Sequence, residues 1–389
     1  MKNNIKTFES VDLKGKKVFL RVDFNVAVVK GIVEEDFKIK AVLPTIELLL
    51  KKGAQILLFS HFGRPDGKCD KKYSLKPVFS VLKKKIKKIK IRFVDDRLIE
   101  RNVKKIKTYR EPILFFENVR FYPGEEKNEL KFTKLLASLA DVYINEAFAC
   151  SHRENASTVG VAKLLPAFGG LHLKKELFFL NKALDPKSPS LAIVGGAKVS
   201  TKLSVLKKFL KKYDHVLLGG GLANTFFAAA GRGIGDSFFE KNEIAKAKKI
   251  LNDKKLILPI DVVVASGKKV KIKKISGKKI CEKNEKIMDI GPATIKYYAE
   301  LIRQSQNIIW GGPMGFLEEK RFSYGSLSIA RVLGAVASGR VFGIAGGGET
   351  IWAINQAKMF KYFDFISTGG GAMLEFLEGR KLPGLEVLK

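Results

Sequence analysis

Short apolar runs, each closed by a polar or glycine-rich turn and followed by a longer amphipathic stretch, recur along the whole 389-residue chain. That alternation admits few solutions other than parallel sheets sheathed by helices, an α/β class. In the first half, Val18 to Val22, Ile56 to Phe59, Ile91 to Val94, Ile113 to Phe116 and Val142 to Ile144 read as strands, while Ala41 to Lys51, Leu75 to Ile86 and Glu129 to Ala140 carry apolar residues at helical spacing. The same grammar restarts with Leu191 to Val194, His215 to Leu218, Lys255 to Leu258, Ile308 to Trp310 and Val341 to Ile344, with Phe363 to Ile366 as a last candidate. A glycine pair opening a helix, Phe168 to Leu184, and the turn-rich Asp185 to Ser190 separate the two series. The length suffices for two cores, so the expectation is two domains cut near residue 170.

Open parallel sheets bind ligands beyond the C-terminal ends of their strands, so the residues just after each run are the informative ones. In the first half they are polar and cationic: Asp23 and Asn25 after the first run, His61 and Arg64 after the second, Arg120 after the fourth, and His152 with Arg153 after the fifth. Several guanidinium groups at one sheet end, with Arg21, suit a small anion bearing phosphate and carboxylate, because each fork takes two oxygens in a defined geometry.

In the second half the same positions are glycine-rich: Gly195-Gly196-Ala197-Lys198, then Gly219-Gly220-Gly221, Gly311-Gly312-Pro313, Gly346-Gly347-Gly348-Glu349-Thr350 and Gly369-Gly370-Gly371. Glycine at a strand-to-helix turn lets backbone N–H groups approach an anion, which reads as a nucleotide site. The spacing matches neither the Walker loop nor the dinucleotide fingerprint, and the protein-kinase elements are missing. No Ser-His-Asp logic or metalloprotease motif is evident, and only four histidines are present. Phosphoryl transfer, which asks mainly for positioning and charge neutralisation, is the chemistry left.

Bulk properties exclude other classes. Cys69, Cys150 and Cys281 form no C-x-x-C pair, so neither a disulfide framework nor a cysteine-rich zinc site is supported. No leader pattern or membrane-length apolar run is present, and a soluble cytoplasmic protein is expected. The 72 Lys plus Arg against 39 Asp plus Glu give a formal net charge of +33, a field that attracts nucleic acid, anionic lipid and phosphorylated metabolites alike. Much of the excess lies in Lys83 to Lys90 and Lys268 to Lys279, read as helix-like and as solvated faces. Aromatic residues do not alternate with these lysines as on a single-strand binding platform, and no dedicated nucleic-acid site is expected.

At these residues the sequence resembles the phosphoglycerate kinase family over essentially its whole length. The resemblance is carried by Arg21 to Val26, Leu43 to Ile46, Ser60-His61 with Gly63 to Pro65, Glu117 to Phe121 with Pro123 to Glu126, and Ser138 to Tyr143. In the second half, Gly195 to Ser200, Asp289 to Pro292, Gly312 to Gly315 and Ser367 to Ala372 continue it. It implies two Rossmann-like lobes, each a parallel β-sheet flanked by helices, joined by a long hinge helix. The first would be a phosphoglycerate-binding domain over residues 1–170, with the C-terminal segment 372–389 packing back on it. The second would be a nucleotide-binding domain over residues 171–371.

The activity implied is reversible transfer from 1,3-bisphosphoglycerate to ADP, giving 3-phosphoglycerate and ATP, with Mg2+ and no obligate protein partner. Carried over by position, Asp23, Asn25, His61, Arg64, Arg120 and Arg153 would bind phosphoglycerate. Lys198, Lys202, Gly219, Gly220, Gly312, Glu318, Gly347, Gly348, Glu349 and Thr350 would bind the nucleotide, Glu349 would meet the metal, and Lys38, Lys198, Gly369 and Gly370 would serve the transfer itself. The chain departs from the family pattern at Lys38 (arginine), Glu349 and Glu146 (aspartate), Ala27 (proline) and Glu154-Asn155 (Ala-His). Lysine replaces a planar fork by a point charge, which predicts a working enzyme of reduced turnover. The alternative is a catalytically weakened relative that serves as a basic RNA- or membrane-associated protein.

Overall fold

Val18, Phe19 and Leu20 are each fully buried. Consecutive residues of a strand point to opposite faces, so both faces of that strand must be covered. It is the strand Lys17–Arg21, an inner member of an all-parallel, six-stranded sheet in the order Ile91–Val94, Ile113–Phe116, Gln55–Phe59, Lys17–Arg21, Val142–Asn145, Ala167–Gly169. The computed structural model describes residues 5–389. They divide into two compact units, one running to Phe178 and including Lys381–Lys389, the other Phe179–Arg380. The boundaries therefore fall at 178/179 and 380/381, whereas the sequence pattern suggested a cut near 170 and the family resemblance implied 371/372.

Aromatic rings cross-link the first sheet. Phe116 stacks on Phe59 at 4.2 Å, Phe59 on Phe19 at 4.0 Å, and Phe19 meets Tyr143 at 5.7 Å, so one aromatic row runs over four neighbouring strands. Each such pair adds about 1 kcal/mol beyond its burial.

The second unit repeats the architecture. Its parallel sheet runs Leu256–Ile257, His215–Leu218, Ser190–Val194, Asn307–Gly311, Phe342–Gly346, Phe365–Ser367. In chain order that is 3-2-1-4-5-6, with the reversal between Ser190–Val194 and Asn307–Gly311. A crevice opens at such a switch point.

A three-stranded antiparallel sheet joins Asp261–Ser266 to Lys269–Lys274 on one side and Lys286–Ile290 on the other. The lysine-rich segment from Lys268, expected to be helix-like, is thus an edge strand. Val270 and Ile272 alternate with Lys269, Lys271 and Lys273 at the period of a strand, and lysines along an edge oppose further strand pairing. Phe168, placed by the sequence pattern at the start of a helix, lies instead in the strand Ala167–Gly169.

The helix Leu171–Leu184 contains the boundary between the units, and its start is held by a residue that departs from the family pattern. Glu146 is buried, and its two carboxyl oxygens accept from the N–H of His172 (3.1 Å) and of Leu173 (2.8 Å). Thr45 donates its hydroxyl to the same carboxyl and accepts from Leu171 N–H at 3.2 Å. These N–H groups have no partner within the helix, and a carboxylate there also suits the helix dipole. Gly170 leaves the room: a Cβ there would lie 2.1 Å from the Glu146 carboxyl carbon. At its other end Phe179 stacks on Phe365 at 4.6 Å, within the second unit.

Glu146→Ala, which orphans these donors and opens a cavity, is expected to cost about 2–4 kcal/mol. Glu146→Gln keeps the volume but turns an NH2 toward a backbone N–H, and should lose less than alanine. Urea unfolding checks both, and an unchanged midpoint in both variants would show that the cap is dispensable.

Candidate active site

Every strand of the first sheet points the same way, so the segments after Arg21, Phe59, Phe116 and Asn145 gather at one edge. There Asp23, buried, is the anionic centre of a cationic basin. Lys38, in the first turn of the helix Phe37–Lys51, donates to Asp23 Oδ2 at 2.6 Å and to the Asn25 carbonyl at 3.1 Å. Asp23 Oδ1 accepts from Asn25 N–H at 3.0 Å, and Asn25 Oδ1 accepts from Gly63 N–H at 3.0 Å, which ties the first loop to the second. Arg120, buried, donates to the Gly63 carbonyl at 2.8 Å and pairs with Glu126 at 3.2 Å. Arg153 donates to His152 at 3.2 Å. Arg64 extends into solvent from the same second loop.

The charges shape one another. Burial pushes the Asp23 carboxyl up, but Lys38, by its charge and its hydrogen bond, more than offsets it and holds it at about 2. Arg120 is pushed down by burial, against the pull of Glu126, and its neighbours Arg153 and Arg21 add to the shift. Such crowding of like charge is costly without an anion and is relieved by one. Cys150, which no sequence motif singled out, also belongs here. Its Sγ, His61 Nδ1 and an Asp23 oxygen lie within 4.8 Å of one another. The trio has the donor set of a metal site, yet the Arg21 guanidinium stands among them, 3.3 Å from Nδ1 and 3.8 Å from Sγ. The cation's place is taken by an arginine.

The second unit contains a cavity of about 870 Å³ at the switch point, lined by Gly196, Lys198, Gly220, Pro313, Glu318 and Glu349. Its apolar wall includes Met314, from the Gly312 to Gly315 motif, and Phe227, Val262 and Met288, residues that the glycine motifs did not indicate. Their signal lay in helix and antiparallel-strand segments remote from those turns. Lys198 and Glu349 are exposed, Glu349 in the first turn of the helix Gly348–Gln356, whose N-cap is Gly347 at φ 101°. Lys202 is largely buried and donates to the Gly195 carbonyl.

Other predicted residues hold the loops together. Thr350 Oγ1, buried, accepts from Gly312 N–H at 2.7 Å. A Cβ on Gly312 would lie 2.3 Å from the Gly195 carbonyl oxygen, and one on Gly219 would lie 2.6 Å from Met314 Sδ, so these glycines permit close backbone approach. Gly369 donates to Ser367 Oγ at 3.0 Å, and Gly370, at φ 50°, precedes the helix Gly371–Leu377. Asp289, which also lines the cavity, accepts from Gly325 N–H at 2.8 Å and is pushed up to about 7 by burial.

Two doubly wound α/β units, one with a cationic basin at its sheet edge and the other with a glycine-bordered, nucleotide-sized cavity, have the architecture of a small-molecule kinase. A family model described as phosphoglycerate kinase matches residues 8–380. The phosphoglycerate kinase of Leptospira biflexa is 44% identical over 389 aligned residues, spanning 98% of this chain and 97% of that protein. That of Buchnera aphidicola is 43% identical over 394, spanning 99% and 98%. Among solved structures, phosphoglycerate kinase from Coxiella burnetii superposes with a TM-score of 0.83 at 36% identity over 99% of both chains. The enzyme from Pyrococcus horikoshii gives 0.85 at 30%, over 99% of this chain and 98% of that one. The chain belongs to the phosphoglycerate kinase family.

Burial lowers the Lys202 ammonium to about 8, with Glu349 opposing. A nucleotide phosphate bound at Lys202, the role that the family resemblance implies, would favour the charged form, so above that pH the complex would hold a proton that the empty site lacks. MgADP affinity should therefore fall as pH rises through about 8, approaching tenfold per pH unit. Calorimetry in buffers of differing ionisation enthalpy measures the proton directly, and zero uptake at pH 9 would refute the assignment.

Proposed function

We propose that this chain, as a phosphoglycerate kinase, moves the acyl phosphate of 1,3-bisphosphoglycerate to MgADP through two ligand sites, the acid in the first unit's basin and the nucleotide in the second unit's cavity. The observation that carries the reading is the basin itself: Lys38 and His61 beside the buried Asp23 carboxylate, with Arg120 and Arg153 neighbours of one another on loops of the same sheet edge. In it Asp23, Asn25, His61, Arg64, Arg120 and Arg153 hold the three-carbon acid. Lys198 and Lys202 meet the nucleotide phosphates, and Glu318 the ribose. The apolar wall of Phe227 and Met314 suits a purine face.

Glu349 fits a hard divalent cation, because an exposed carboxylate beside the cavity supplies one oxygen while phosphates and water supply the rest. Bound Mg2+ neutralises phosphate charge. The attacking oxygen of ADP is already anionic, so no general base is needed. Lys38, Lys198 and the Gly369-Gly370 turn are assigned to the charge that spreads over the transferring group. An acyl phosphate hydrolyses, so transfer also requires that water be excluded when both ligands are bound.

Lysine at position 38 supplies charge without a fork, consistent with a working but slower enzyme. The similarity to phosphoglycerate kinases over nearly the whole chain favours catalysis over a role as a basic RNA- or membrane-associated protein. Among the described residues no helix is long and apolar enough to cross a membrane, and we assign the enzyme to the cytoplasm with its soluble substrates.

A coupled assay with MgATP and 3-phosphoglycerate tests the reading. Arg64 and Lys198 are exposed, so alanine at either should leave stability within about 0.5 kcal/mol. Arg64→Ala should raise KM for 3-phosphoglycerate and spare that for MgATP, while Lys198→Ala should lower kcat by about 10²-fold or more. Absence of turnover, or turnover indifferent to both changes, rejects the function. Lys38→Arg should hold or raise kcat; a collapse would mean that the basin has been rebuilt around lysine.

A further inference from the structure

We propose that Arg21 is a positioning residue that holds His61 as the neutral imidazole with its proton on Nε2, so that His61 meets the acid substrate as a hydrogen-bond donor and not as a cation. The inference rests on the placement of the three-carbon acid in the first unit's basin and specifies how one of its ligands acts.

Arg21 ends the strand Lys17–Arg21 and is only 2% exposed. Its three nitrogens are all engaged. Nε donates to Ser157 Oγ at 2.8 Å, one terminal nitrogen donates to the Val22 carbonyl, and the other lies 3.3 Å from His61 Nδ1. The guanidinium is fixed from behind as well. Ser157 donates its hydroxyl to Glu125 Oε1 at 2.5 Å and its N–H to Oε2 at 2.9 Å. With its one proton so committed, Ser157 Oγ faces Arg21 with a lone pair. The result is a buried chain of defined polarity from Glu125 through Ser157 and Arg21 to the imidazole.

A guanidinium has donors and no acceptor, so a ring nitrogen facing it must offer its lone pair. A proton on Nδ1, in the other neutral tautomer or in the imidazolium, would set N–H against N–H in a buried site. The groups around the ring agree. Burial favours the neutral ring most, and Arg21, Arg120 and Lys38 add to it, while Asp23 alone pulls toward the cation. Asp23 Oδ1 stands 4.0 Å from Nδ1, too far for a hydrogen bond, and is already engaged by Asn25 N–H. The Cys150 thiol lies 3.7 Å away. Among the described residues Nε2 makes no hydrogen bond, which leaves its proton for a ligand oxygen.

Nitrogen-15 NMR of histidine-labelled protein reads the tautomer directly, with His61→Gln assigning the signal among four histidines. In the ligand-free enzyme we expect an unprotonated Nδ1 and a protonated Nε2 that persist between about pH 5.5 and 8, where an ordinary histidine titrates. A proton on Nδ1, or titration to the cation within that window, overturns the proposal. Arg21→Lys keeps the charge and loses the fork, so its His61 should titrate in the window, and KM for 3-phosphoglycerate should become pH-dependent while that for MgATP does not. If that variant fails to fold, Ser157→Ala, which removes the Arg21 Nε acceptor, should loosen the ring in the same sense. A ring as rigidly locked in the folded variant as in the parent also overturns the proposal. Addition of 3-phosphoglycerate separates the two layers. A perturbed Nε2 signal supports the donor role, a locked ring indifferent to the acid rejects its placement in this basin, and the wrong tautomer with a clear response rejects only the lock.

Discussion

The common direction of the strands within each main sheet is the constraint on which the rest depends. Because all six strands of each sheet are parallel, every strand-to-helix turn of a unit lies at one edge, and residues more than a hundred positions apart become neighbours. Arg21 meets Ser157 across 136 positions in this way. An antiparallel arrangement of the same segments would send alternate turns to opposite edges and disperse both the basin and the cavity. Parallel sheets in turn require helices on both faces, hence the unbroken apolar runs.

Gathering cations at a buried edge carries an electrostatic cost that the first unit meets with the carboxylates of Asp23, Glu125 and Glu126 and with neutral acceptors. Asp23 is kept ionised by Lys38 despite its burial, and Arg21 faces Val22, His61, Cys150 and Ser157 as acceptors. The second unit meets its need differently, with backbone turns brought so close that side chains would collide. Gly195 and Gly219 pack against the Pro313-Met314 segment and Gly312 against Gly195, and Lys202 lies over that junction. One unit thus offers side-chain charge and the other close main-chain approach, the two means that suit an acid bearing phosphate and a nucleotide respectively.

Much of this was legible in the chain. Ten of the apolar runs reappear as strands of the two sheets with ends shifted by a residue or two, and Phe363 to Ile366 overlaps the short strand Phe365–Ser367. Of the second-half turns named in advance, Gly196, Lys198, Gly220, Gly221, Pro313 and Glu349 line the cavity, while Gly346 to Gly348 and Gly369 to Gly371 are not among its lining residues. Three things were not visible. The lysines after Lys268 were misread because the lysine excess masked the strand-period alternation with Val270 and Ile272. Glu146 looked like an altered site residue and is a helix cap, since its partners His172 and Leu173 are recognisable only once Gly170 brings them within reach. Cys150 had no motif, and only its loop's return to the edge places it beside His61.

Periodicity, turn chemistry and motif order are local, written within a few residues, and so the sequence alone determined the α/β class, the two series of strands, the family and the types of group at each turn. Which strand lies beside which, which glycines face a ligand and which face another loop, and which proton His61 carries are set by contacts between distant segments. Those depend on sheet order and burial, which no short window of sequence contains, and only the tertiary structure decided them.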